Sequence, residues 1–107
     1  MTFEELIEQV QKLECQEKRA FEKDYCEVVV TKAKLAPINT LLKSYFGSPL
    51  KPEGQEASAE AARYAQPHGG IYGNQTLYFH KSEKTSELAF LWPWGNGTSV
   101  TLKIIRE

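Results

Sequence analysis

The sequence predicts an α+β fold, and three observations carry that reading. The last third alternates apolar and polar residues in three consecutive runs separated by turn residues, the pattern of an antiparallel meander. The first third repeats apolar residues at helical spacing. Between two helical stretches lies the β-branched run Val28-Val29-Val30, which reads as one more strand joining the meander's sheet. A length of 107 residues fits one domain, 1–107, built on one core.

Element by element, the chain opens with Thr2 and Glu5 as a capping box. Phe3, Leu6, Ile7, Val10, Leu13, Ala20 and Phe21 then draw one stripe along a helix running from about Phe3 to Lys23. Glu17 falls in the stripe near the helix end, where solvent can reach it, and Cys15 projects from the opposite, exposed face. A strand follows from Tyr25 to Thr31, with Cys26, Val28 and Val30 on one side. The next helix starts near Pro37, gathers Leu35, Ile38, Leu41, Leu42, Tyr45 and Phe46 on one face, and stops at Gly47.

From Ser48 to Gly70 the composition turns to Pro, Gly, Glu and Ala, and a short Ala-rich helix over 57–65 sits inside this connection between Gly54 and Pro67. A connection this long is usually functional or mobile, which makes it the first place to look for a site. Tyr72 is expected in a short strand before a bend at Gly73-Asn74. The meander strands cover 75–80, 87–92 and 98–105, joined by a polar loop at 82–86 and a turn at Gly95-Asn96-Gly97. Leu77, Phe79, Leu88, Phe90, Trp92, Val100, Leu102 and Ile104 are expected to share the core face. The opposite face carries Tyr78, Leu91 and Ile105 beside Thr76, His80 and Lys103, too apolar to stand bare. Either a helix or a second copy of the chain covers it, and the single stripe on each helix favours a homodimer.

Charge and motifs narrow the function. Thirteen Lys and Arg, scattered among fourteen Asp and Glu, leave no basic stripe to displace counterions from a nucleic acid. No apolar stretch is long enough to span a bilayer, and the acidic amphipathic N-terminus does not resemble a secretory signal. Two cysteines without CxxC or zinc spacing read as reduced thiols in a cytoplasmic protein, with no metal and no cofactor expected. No nucleophile elbow, P-loop, dinucleotide fingerprint or zincin motif occurs, and no catalytic residue is assigned.

Six residues stand out as ligand or partner contacts. His68 and His80 are the chain's two imidazoles and its candidates for acid–base work, Tyr72, Tyr78 and Trp94 offer aromatic area, and Leu91 centres the outer sheet face. The reading is therefore a non-catalytic binding module that meets a protein partner or itself through the outer sheet face or the 48–70 connection. Its rival is an enzyme or small-ligand protein with a pocket between that connection and the sheet, where His68, Tyr72 and His80 converge.

Overall fold

A computed structural model describes all 107 residues. The elements run α1 (Phe3–Gln11), β1 (Glu17–Glu22), β2 (Tyr25–Thr31), α2 (Leu35–Phe46), α3 (Ala59–Ala65), β3 (Thr76–Lys81), β4 (Ser86–Pro93) and β5 (Ser99–Arg106). All five strands form one antiparallel sheet in the order β1-β2-β5-β4-β3. The fold class is α+β, with the Tyr25–Thr31 strand seated beside β5 and one more strand than the sequence suggested. No helix is long and apolar enough to cross a membrane.

The first helix is half the expected length. Its capping box forms, with Thr2 Oγ1 accepting from the Glu5 amide and Glu5 Oε1 from the Thr2 amide, both at 3.1 Å. It stops at Gln11, one residue after its last buried position, Val10. Residues 17–22, expected on the same helix, pair instead with β2 across a two-residue turn at Lys23-Asp24. Phe21 fits helical spacing and strand alternation equally well. The strand wins because it completes the hydrogen bonds of β2 and brings Arg19 to Glu17 and Glu27, at 3.0 and 3.2 Å. A continued helix would instead set Glu17 in the apolar stripe. Cys15 accordingly lies in the loop after α1, half-buried and not exposed.

Register corrects the second expectation, about the core face. Across β4 and β5, Leu91 pairs with Leu102 and Ala89 with Ile104, while Phe90 pairs with Lys103 and Leu88 with Ile105. Val100, Leu102 and Ile104 therefore lie on the Leu91 side, away from Phe79 and Phe90, and Ile105 lies away from Tyr78 and Leu91. Parity within each strand was readable, but the turn between strands decides which parity meets which. Phe90 is fully buried as expected, whereas Trp92 is only half-buried.

The sheet thus has two apolar faces, and both are covered within the chain. Helices α1 and α2 bring Phe3, Leu6, Val10, Ile38, Leu42 and Phe46 onto Val28, Tyr78, Leu91, Leu102 and Ile104. That is the principal core, each fully buried aliphatic or aromatic side chain being worth about 1.5–3 kcal/mol. The face argued to need a second copy is sealed by these helices, so the argument for a homodimer loses its surface. On the other side α3 lays Ala61 and Ala65 against Leu77, Leu88, Phe90 and Ile105.

Candidate functional site

The connection of residues 48–75 is built before it offers a site. Lys51 and Leu77 exchange backbone hydrogen bonds at 3.0 and 3.1 Å, forming a one-residue bridge along the outer edge of β3. The Lys51 side chain turns inward and is only 1% exposed. Its ammonium donates to the carbonyls of Pro52, Gly73 and Gln75 at 3.0, 2.8 and 2.6 Å. No carboxylate makes an ion pair with it there, and burial pulls its pKa below the usual lysine value against the weaker pull of Glu53. Three carbonyl dipoles substitute for water and tie the two ends of the connection together.

Between those ends Ser58 caps α3 by accepting from the Ala61 amide, and the alanines at 61 and 65 let the helix lie close on the sheet. The chain then turns back through Gly69 and Gly70, at φ 99° and 85°, a pair of left-handed residues that a side chain would strain. The returning segment, Gly70–Tyr72, runs beside the outer flank of α3. The two leave an open groove of about 590 Å³ lined by Ala59, Ala62, Arg63, Gln66, Gly70, Ile71 and Tyr72. Tyr72, expected in a short strand, has no strand partner and stands 68% exposed on the groove. Arg63 is the groove's one charged residue. Its guanidinium lies 5.1 Å from the Tyr64 ring centre, and Tyr64 is itself stacked on Phe79 at 3.9 Å.

The other residues singled out from sequence are dispersed. His68 is not a free loop histidine: its side chain is 14% exposed, its ring packs on Phe90, and Nε2 lies 3.2 Å from Glu107 Oε1. Tyr78 is fully buried in the principal core, where its hydroxyl donates to Asn39 Oδ1 at 2.6 Å and burial raises its pKa. Leu91 is buried beside it. His80 lies on this same side of the sheet, with Nδ1 3.2 Å from Glu87 Oε1. His68 and His80 are thus on opposite faces and do not share a pocket with Tyr72. Trp94 is 39% exposed, but its indole N–H donates to Thr101 Oγ1 at 2.8 Å and Arg19 sits over its ring.

Three arrangements escaped the sequence. One is a flat layer over the part of the sheet that α3 does not reach. Lys103 lies 4.6 Å from the Trp92 ring centre and 5.7 Å from that of Tyr25, while Tyr25 donates its hydroxyl to Glu27. Burial first, then Glu27, pushes the Tyr25 phenol up to about 12, and the Tyr25 hydrogen bond leads the causes that lower Glu27. Here the aromatic faces are already met by the chain's own cations.

The second arrangement centres on Glu87, 5% exposed, which accepts from the Tyr45 hydroxyl at 2.5 Å and lies against His80. Burial and Glu87 hold the Tyr45 phenol far above its ordinary range, so it remains a donor. The cluster has the ingredients of an acid–base relay but borders neither concavity of the molecule. The third is a small hollow of about 150 Å³ between Glu14, Cys15, Gln16, Thr31 and Lys34. Burial raises the Cys15 thiol pKa, which leaves it a poor nucleophile. No three His, Cys, Asp or Glu side chains converge to hold a metal.

Beside these, Arg63 had a sequence signal, as the lone cation in an alanine-rich helix; the three arrangements depend on how strands and loops meet. No protein family, curated protein or solved structure matches the chain, and the groove is read from its geometry.

Proposed function

We propose that this chain is a non-catalytic interaction module that docks a segment of a partner protein in the groove between α3 and Gly70–Tyr72. The observation that carries the reading is the groove itself: a 590 Å³ concavity, apolar along most of its wall, flanked by an exposed tyrosine and one arginine. Tyrosine and arginine beside an apolar cleft are the residue types on which partner binding concentrates. The groove is also braced from behind, because Lys51 fixes the ends of the connection and Tyr64 on Phe79 fixes the helix flank. A braced groove loses little freedom when it is filled.

The rival enzymatic reading required His68, Tyr72 and His80 to meet, and they lie apart. Self-association through Tyr78 and Leu91 has no open surface left, which favours a different protein as partner. Two unpaired thiols and the absence of a basic stripe fit a cytoplasmic protein that acts on protein, not nucleic acid.

A photo-crosslinking amino acid placed at Gln66, in the groove, and separately at Glu83, in the exposed β3–β4 loop, tests the reading in the source cell. The expected result is a discrete cross-linked protein from position 66 that is missing from position 83. Identical adducts from both positions, or none from position 66, would overturn it.

A further inference from the structure

We infer that the partner segment is an extended peptide that seats an apolar side chain in the α3 groove and sets a carboxylate against Arg63. This rests on the docking reading above and specifies its ligand.

Three observations converge on that chemistry. First, Arg63 makes no ion pair with any carboxylate of the chain; every salt bridge involves other residues. Glu60, one turn earlier on the same helix, leaves it free. Its single hydrogen bond goes from Nη2 to the Tyr64 hydroxyl at 3.4 Å, so four of its five N–H donors are unspent within the chain. Arg63 rests over the Tyr64 ring, which is itself stacked on Phe79, so the guanidinium has a fixed aromatic surface beneath it when a carboxylate arrives.

Second, apart from the neutral Gln66 the rest of the wall is apolar or small, and no second charge lies in the groove to demand another countercharge. Third, Ile71 lines the groove, and neither its peptide N–H nor its C=O is hydrogen-bonded within the chain. Gly70 beside it has no Cβ and nothing within 4 Å of where one would stand, so another backbone can approach. A free donor and acceptor on one residue are what an added strand pairs with. A fatty acid would match the apolar wall and Arg63 but leave the Ile71 peptide groups unmet, and a docked helix would spend its backbone groups on itself.

The test is selection of a random peptide library against the intact chain and against two variants at exposed positions, Ala62→Gln and Arg63→Gln. The first fills the groove without adding charge, and the second removes the cation while keeping a planar side chain. Matching thermal unfolding of all three proteins confirms that folding is unaffected. Peptides recovered by the native chain should carry Asp, Glu or a terminal carboxylate at fixed spacing from Leu, Ile or Phe. Arg63→Gln should weaken a synthetic example about 10-fold or more, as for a charge-assisted hydrogen bond. Replacing the peptide carboxylate by an amide should weaken binding to the native chain equally and to Arg63→Gln not at all. Peptides that need Ala62 but lack an acid and bind Arg63→Gln undiminished would overturn the ligand chemistry and leave the docking reading standing. Decanoate binding more tightly than any selected peptide would overturn the peptide identity. Failure to recover any peptide sensitive to Ala62→Gln would overturn the docking reading itself.

Discussion

On one face of the sheet, α1 and α2 press Phe3, Leu6, Val10, Ile38, Leu42 and Phe46 onto Val28, Leu91 and Leu102. On the other, α3 reaches Leu77, Leu88, Phe90 and Ile105, while Trp92, Trp94, Tyr25, Lys103 and Arg19 cover the remainder from within the sheet and its turns. The first face has a cover with a long apolar stripe, so its energy lies in burial. The second has a cover of two buried alanines with Leu50, Ala57, Tyr64 and Ile71 only partly buried around them, and a set of ion–aromatic contacts, so part of its energy is electrostatic and its rim stays open. That difference accounts for where the groove lies: a short helix cannot seal a sheet face, and the chain that returns past it leaves a cleft.

The sharpest break in this comparison is a matched pair of charges. Leu91→Arg places a guanidinium beneath α1 and α2, where the one buried carboxylate, Glu87, is already held by Tyr45 and His80, and should cost more than about 4 kcal/mol, a large share of the stability a domain of this size has. Trp94→Arg places the same group at an exposed position beside Arg19, whose own charge is met by Glu17 and Glu27, and should leave a folded protein in urea titration. A Leu91→Arg protein as stable as the native chain in the same titration would show that the first face is not sealed.

A smaller effect is expected at Lys51. Exchanging it for Met keeps the aliphatic stem and strands three carbonyls, at a cost of about 1–3 kcal/mol. The loss should be local. Amide exchange should quicken in the connection and α3, while amides of β2 and β5 keep their protection. Uniform quickening would mean that the two covers open together.

How much of this was legible follows from the physics of each part. Thr2 with Glu5, the valine run of β2, Gly47 after α2 and the alanines of α3 act through neighbours in sequence, and all formed as read. Residues 17–22 did not, because Ala20 and Phe21 suit a helix or a strand and only pairing with β2 decides between them. The division of β5 between the two faces likewise depends on the pairing of Leu91 with Leu102. Of the site, the connection and Tyr72 were legible, since long loops and exposed aromatics announce themselves. Ile71 and the Lys51 brace were not, and Arg63 stood out only as the lone cation of its helix, because their roles depend on what the fold leaves unpaired or encloses.

Alkaline pH should wear down the aromatic layer in a predictable direction. The Tyr25 phenol is raised to about 12 in the folded chain, against about 10 when unfolded. The folded state therefore holds this proton more tightly. The stability it contributes is complete below pH 10 and is lost as pH rises from 10 towards 12. Tyr45 and Tyr78, also raised, add the same sign, and the lowered Lys51 opposes them. Tyr25→Phe should accordingly show a shallower fall in urea midpoint between pH 9 and 11 than the native chain. An unchanged slope would mean that the hydroxyl is neither buried nor held by Glu27.

The two thiols offer the gentlest probe, since labelling them need not perturb the fold. Cys15 is half-buried in the loop after α1, its thiol donating to the Leu13 carbonyl at 3.4 Å. Cys26 lies fully within the principal core, and burial pushes its thiol up to about 12. A thiolate can form at Cys26 only when α1 or α2 lifts, so its labelling should be at least about 100-fold slower than that of Cys15. The informative comparison is then between the native chain and Lys51→Met. If the two faces are independent, loosening the connection leaves the Cys26 rate where it was, even though α3 has become labile. If Cys26 quickens in step with the amides of α3, the sheet transmits the opening from one face to the other, and binding in the groove would tighten the principal core as well.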